Sequence, residues 1–277
     1  MTAPPVRLVL GELSLEGWSW AGQATWFRVR PGGLAFDAGA GGEPALAGVE
    51  RIFVSHGHLD HSLGVPYQLS FRALAGEGPT SVYCPREIEA SLDGVIRACE
   101  RLEGRRYAYE LRGLTGGDRV RVGRDLLVEA FPTRHTTPSL GYLLVRETAR
   151  LLPELAGLPG EEIAGRRRRG EVVEERSEAD WLAYCGDMTI GTLDENPRLY
   201  EVPVLLLECT FLGGDERERA ARFGHVHFQE VVERRERFAN RWLVLHHLSR
   251  RHSAADLRAA VARDLGPLAE RVEVVAP

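Results

Sequence analysis

Residues 51–64 read RIFVSHGHLDHSLG. The opening RIFVS is a short apolar run of the kind that forms a buried strand, so Arg51–Ser55 is predicted as one. His56, His58, Asp60 and His61 follow it directly. Zinc takes imidazole nitrogens and carboxylate oxygens at near-tetrahedral geometry. On a tight turn, residues two apart point the same way, so His56 and His58 can grip one ion. Asp60 and His61, displaced along the turn, can grip a second nearby, with Gly57 and Gly64 supplying backbone freedom. A lone histidine is usually a satisfied core or surface residue. Three with an aspartate in one turn after a strand point to a metal site.

Two ions need further ligands, and the chain offers them at other strand ends. His135 follows the predicted strand Leu126–Phe131. Asp187 follows Trp181–Cys185 across Gly186, and His247 follows Trp242–His246. Strand ends converge on one edge in layered α/β folds. A carboxylate can bridge two ions through its two oxygens, which suits Asp187.

The rest of the chain bounds the reading. With 277 residues, 44% hydrophobic and 27% charged, it can bury a sizeable core. Disordered, collagenous and small disulfide-stapled classes are excluded. The longest apolar run, Val202–Leu207, is far short of the roughly 20 residues that span a bilayer. The N-terminal MTAPPVRLVLGEL lacks a basic start and long apolar stretch, so a soluble cytoplasmic protein without membrane attachment is expected. The net charge of −5 argues against a generally basic nucleic-acid coat, but not against a local basic surface. Every basic residue is arginine, which suits bidentate phosphate contacts. Cys84, Cys99, Cys185 and Cys209 show no CxxC pair and read as reduced, mostly buried thiols.

Further strands are predicted at Val6–Leu10, Trp26–Val29, Leu34–Phe36, Leu140–Val145 and Val204–Glu208. Helices are predicted from Pro85 to about Leu102, from an Asp215 cap to Gly224, over Phe228–Phe238, and after a capping box at Ser253 and Asp256. Strands dominate both halves with helices between them, giving an α/β or α+β layered domain over 1–277. No fixed-period repeat is visible. Residues 147–180 are charged, carry Arg166–Arg169 in a row and show few strand signals. They read as an insertion between two strands.

The HxHxDH turn at His56–His61, with His135, Gly186-Asp187 and His247 after it, resembles the metallo-β-lactamase superfamily. LLLECTF at Leu205–Phe211, FGHVH at Phe223–His227 and LVLHHLSRRH at Leu243–His252 resemble the tRNase Z family within it. There Leu248 stands for a phenylalanine and His252 for a tyrosine. The order and spacing are similar to the short, plant-type form over nearly the whole chain. GELSLEGWSWAGQATW, the FDAG at Asp37 and GLPGEEI at Gly157–Ile163 share in that likeness.

The resemblance implies a four-layer αββα sandwich with two facing mixed sheets, and two zinc ions (manganese being the alternative) held by His56, His58, Asp60, His61, His135, Asp187 and His247. It implies a homodimer that removes the 3′ trailer from precursor tRNA. A metal-bridging hydroxide would attack the phosphorus, with Asp60 a ligand that also orients it. His225, hydrogen-bonded to Glu208, would protonate the leaving 3′-oxygen. His227 is the rival donor, and a histidine interacting with a helix C-terminus is the plain alternative for His225. Two other functions stay open: a hydrolase of a small phosphodiester, lactone or thioester, and a non-enzymatic RNA-binding scaffold that kept the fold.

Overall fold

The run VLLLE at 204–208 is buried at every position, and its alternate side chains face different layers. Leu206 joins Phe27, Phe36, Phe53, Tyr142 and Tyr184 between two sheets. Leu205 and Leu207 join a second cluster under helices on the far side. A strand covered on both faces is continuously apolar, unlike a half-exposed one. Each large side chain buried in this way contributes roughly 1.5–3 kcal/mol.

The structure is a computed structural model that describes residues 4–42 and 45–276; residues 1–3 of the N-terminal stretch read above lie outside them. The first sheet contains β1 (Val6–Leu10), β2 (Leu13–Trp20), β3 (Ala24–Arg30), β4 (Leu34–Phe36), β5 (Arg51–Phe53), β6 (Thr80–Pro85) and β7 (Tyr109–Leu114). The second contains β8 (Arg119–Arg121), β9 (Leu126–Pro132), β10 (Leu140–Leu151), β11 (Glu174–Tyr184), β12 (Val204–Glu208), β13 (Trp242–His246) and β14 (Val272–Val275). Each sheet runs in sequence order. In both, the first four strands are antiparallel and the last four parallel. The two halves thus repeat one topology, although no sequence period announces it.

The helices are α1 (Leu59–Ser62), α2 (Gly64–Leu74), α3 (Glu89–Glu103), α4 (Gly160–Arg168), α5 (Gly191–Glu195), α6 (Arg217–Phe223), α7 (Phe228–Glu233) and α8 (Ala254–Asp264). Val65, Leu69, Leu92 and Ile96 of α2 and α3 pack on the outer face of the first sheet. Leu193, Val231, Leu257 and Val261 of α5, α7 and α8 pack on the outer face of the second. The order is helices, sheet, sheet, helices: the expected αββα sandwich. No helix among the described residues is long and apolar enough to cross a membrane.

Several element predictions need correction. Pro85 closes β6, and α3 begins only at Glu89 after a 3₁₀ turn. Asp215 lies inside a 3₁₀ turn and caps nothing; Gly224 at φ 71 does end α6. The helix predicted over Phe228–Phe238 stops at Glu233, and Arg235–Arg237 form a separate turn. The Ser253–Asp256 capping box is present. Within 147–180, β10 and β11 stay paired out to Leu151 and Glu174, with α4 between them. This outer ladder is exposed on both faces, so it lacks the apolar alternation by which a strand is recognised.

Candidate metal centre

β5, β9, β11, β12 and β13 deliver their C-terminal ends to one edge of the sandwich. His56 follows β5 and bridges to Ser139. His58 precedes α1, which carries Asp60 and His61. Neither Gly57 nor Gly64 takes left-handed backbone. Gly64 is required for a different reason: a Cβ there would lie 2.5 Å from the Ala38 carbonyl oxygen. Gly186 does take left-handed backbone, at φ 60, and a Cβ would meet Ser55 Cβ at 2.6 Å. It therefore lets the chain turn tightly enough to bring Asp187 into the centre.

The seven candidate ligands converge. His56, His58, His135 and Asp187 form one group; Asp60, His61 and His247 form a second; Asp187, His225 and His247 form a third. Within each group the donor atoms lie within 4.8 Å of one another. Asp187 sits between them, with Oδ2 3.6 Å from His56 Nε2 and 3.3 Å from His61 Nε2, and Oδ1 3.3 Å from His247 Nδ1. His135 Nδ1 bonds the Gly224 carbonyl at 2.9 Å, so its Nε2 faces His58 Nδ1 at 3.3 Å.

This donor set fits divalent metal ions. His56 Nε2 and Asp187 Oδ1 are buried with no hydrogen-bond partner among the described residues. Orphaned buried polar atoms are costly unless something else coordinates them. Burial, and then the neighbouring His61, push the His56 imidazole well below its usual pKa, toward the neutral form that binds metal. Burial opposes ionisation of Asp187, but His247 and His61 outweigh it and keep the carboxylate charged. Asp60 is lowered in the same way, against burial, by its hydrogen bond to His247 and the charge of His61.

Glu208, at the end of β12, is fully buried. Its Oε1 accepts from the backbone N–H groups of Met188 at 3.2 Å and Val226 at 3.1 Å. Oε2 accepts from Thr210 N–H at 3.1 Å and from Thr210 Oγ at 2.8 Å. His225 Nδ1 lies 3.0 Å from Oε1. Burial works against a charge on His225, yet the Glu208 carboxylate outweighs it and lifts the imidazole to about 9. His227 has no such freedom. Its Nδ1 accepts from Gln229 N–H at 3.1 Å and its Nε2 donates to the Gly213 carbonyl at 2.7 Å, which makes it the cap of α7. His246 faces Phe27 and Tyr184 between the sheets, and His252 pairs with Glu216.

Asp37 was noticed in the sequence only as part of a family stretch, yet it anchors the centre. It follows β4 directly, at φ 57, and is fully buried. It accepts from Ser55 N–H at 2.6 Å, Ser55 Oγ at 2.8 Å, His61 Nδ1 at 2.6 Å and the Tyr184 hydroxyl. The available signal was a carboxylate placed, like Asp187, just beyond a strand end. Thr210, whose Oγ lies 3.0 Å from His247 Nδ1, was likewise read only as part of a motif.

Two facing sheets with histidines and aspartates gathered at one edge define a class, and residues 25–248 match the Beta-lactamase superfamily domain. tRNase Z TRZ1 of Arabidopsis thaliana is 30% identical over 261 residues, covering 93% of each chain. Ribonuclease Z of Gemmatimonas aurantiaca is 31% identical over 251 residues, covering 79% of this chain and 77% of its own. The chain belongs to the tRNase Z family. The human short-form tRNase Z structure has a TM-score of 0.64 over 95% of both chains at 18% identity, a likeness of fold.

Proposed function

We propose that this chain is a metal-dependent endoribonuclease that removes the 3′ trailer from precursor tRNA. The observation that carries the proposal is the His225–Glu208 pair at 3.0 Å beside the clustered donors. Hydrolysis of an alkyl phosphodiester expels a poor alkoxide, which benefits from a dedicated proton donor. His56, His58 and His135 with Asp187 would hold one ion, and Asp60, His61 and His247 with Asp187 the other. Zinc suits this imidazole-rich set, and manganese is the alternative. When bound, the ions supply Lewis acidity and lower the pKa of a water toward 7.

The protein's own groups do the rest. Asp60 Oδ2 is held by Gly22 N–H at 2.7 Å, which leaves Oδ1 to orient the attacking water. With its pKa raised to about 9, His225 carries a proton at neutral pH. Glu208 engages Nδ1, so Nε2 is the atom that gives its proton to the leaving 3′-oxygen. The arginine runs are less free than their composition suggests. Arg166, Arg167, Arg169, Arg234, Arg235 and Arg237 each face a carboxylate. RNA phosphates would have to compete with these pairs.

In this reading residues 1–277 act as one catalytic domain, with 147–180 inserted in it. The homodimer reading is supported by Leu59, Leu63, Tyr67 and Leu74, which are exposed at near-helical spacing along α1 and α2. The unpaired cysteines suit a reducing compartment such as the cytoplasm. The test is cleavage of a precursor tRNA carrying a 3′ trailer, with product ends mapped, in the presence of zinc or manganese and of chelator. One metal-dependent cut after the discriminator base, leaving a 3′-hydroxyl, is expected. Hydrolysis of a generic phosphodiester with no RNA cut would transfer the substrate to the small-molecule alternative.

A further inference from the structure

The turn between β2 and β3 reaches across from the first sheet to the strand end that carries His247. His247 sits at φ 62, a left-handed backbone that L-residues with bulky side chains rarely adopt. Its N–H therefore cannot continue the β13 ladder; it donates instead to Ser19 Oγ at 3.0 Å. Ser19 is fully buried, and its hydroxyl also lies 3.0 Å from Thr25 Oγ and 3.3 Å from His246 Nδ1. One residue on, Trp20 bridges to Leu248, and Ala21 N–H donates to the Leu248 carbonyl at 3.2 Å. The tip of the same turn holds the other side of the centre, where Gly22 N–H donates to Asp60 Oδ2.

We propose that Ser19 is a positioning residue for the Asp60–His61–His247 ligand group: its hydroxyl holds the left-handed backbone of His247 so that the imidazole meets Asp60 and His61. The inference rests on the metal-dependent reading above. The geometry makes the effect local. His56 follows β5, His58 precedes α1 and His135 lies in the loop after β9; the hydrogen bonds of the Ser19 hydroxyl go instead to Thr25, His246 and His247. His247 Nε2, by contrast, lies 3.1 Å from His61 Nε2 and 3.4 Å from Asp60 Oδ2. A buried N–H deprived of its acceptor turns or moves to find another. Any such shift of the His247 backbone changes those two distances, along with the 3.3 Å from Nδ1 to Asp187 Oδ1.

The experiment is a titration of metal-stripped, full-length protein with cobalt(II), followed by visible absorption, with no RNA present. In Ser19→Ala, one equivalent should bind as in wild type, and the other at least tenfold more weakly with an altered band shape. Ser19→Thr, which keeps the hydroxyl, should restore both. Unfolding in urea with chelator records the stability of the same variants separately. If Ser19→Ala does not fold, Ser19→Cys, with its weaker sulfur acceptor, carries the same expectation at reduced size. Unchanged cobalt binding at both steps overturns the proposal, as does equal weakening of both that merely tracks lost stability. Wild-type protein that takes up no cobalt overturns the metal-dependent reading itself, and the proposal with it.

Discussion

Asp37→Asn is the substitution that best separates chemistry from shape at this centre. It conserves volume, and asparagine tolerates left-handed backbone nearly as well as any L-residue, so φ 57 is not an obstacle. What changes is the hydrogen-bond arithmetic. Oδ1 accepts from the Ser55 backbone, and Oδ2 from Ser55 Oγ, His61 Nδ1 and the Tyr184 hydroxyl. If the new NH₂ replaces Oδ1, it faces an N–H that cannot turn away. If it replaces Oδ2, both hydroxyls can rotate, but His61 must move its proton to Nε2 to offer Nδ1 as an acceptor. That tautomer fixes a hydrogen on Nε2, the atom that faces Asp60, His247 and Asp187 and whose lone pair a bound ion would need. Loss of charge-assisted bonds at a buried site costs about 2–4 kcal/mol of apo-protein stability. Loss of a carboxylate that orients a ligand histidine typically weakens metal binding 10- to 100-fold, or about 1.4–2.8 kcal/mol. Calorimetric zinc titration of stripped protein should therefore show one weakened step, and urea unfolding in chelator a lowered midpoint. An Asp37→Asn variant that loses stability but keeps wild-type zinc affinity at both steps would refute the tautomer argument and reduce Asp37 to a core hydrogen-bond hub.

Four further outcomes are expected. His225→Ala should lower turnover on precursor tRNA about 10²- to 10³-fold with metal content by atomic absorption nearly unchanged; metal loss would instead make His225 a ligand. Asp187→Ala should lose most bound metal, because its two oxygens face both donor groups. Glu100, buried and holding Tyr107 N–H and Arg106, has its carboxyl below the usual range, mainly through the Tyr107 backbone bond. Its folded pKa lies below the unfolded value near 4.3, so its contribution is full above that value and is lost as pH falls through the folded pKa. The stability gap between wild type and Glu100→Gln, on the order of 1 kcal/mol by urea at pH 6, should close toward pH 3. Tyr67→Glu, on the exposed face of α2, should yield monomer by light scattering if that face joins two copies.

The candidate ligands were legible because each pairs an unusual residue type with a strand end or the turn after it, and local pattern reveals both. His56, His58, Asp60 and His61 lie in one turn, and His135, Asp187 and His247 each follow an apolar run. The groups that hold them were not legible. Ser19 and Thr25 were read only as part of the stretch GELSLEGWSWAGQATW, and Ser19's partners His246 and His247 lie more than two hundred residues along the chain. Long-range hydrogen bonds leave no periodic trace, so sequence pattern cannot find them. Sequence pattern also missed β2, β6, β7, β8 and β14, of which β7, β8 and β14 lie at sheet edges. It missed as well the outer ladder of β10 and β11, where both faces meet solvent and alternation has no cause.

The repeated topology accounts for where the concealed carboxylate lies. β4 corresponds to β11, each being the last strand of an antiparallel run and the first of a parallel one. Asp37 follows β4 directly, and Asp187 follows β11 after two residues. Both carboxylates thus arrive at the same edge from equivalent places, one from each sheet, and both reach His61: Asp37 through Nδ1, Asp187 through Nε2. Their environments then divide the work. Asp37 spends its oxygens on donors that the protein supplies, whereas Asp187 keeps Oδ1 without a hydrogen-bond partner among the described residues. A carboxylate saturated by protein donors can only orient; one left unsaturated in a dry site can coordinate. The order of strands decides where two acids converge, and the count of nearby hydrogen-bond donors decides which of them keeps an oxygen free to coordinate an ion.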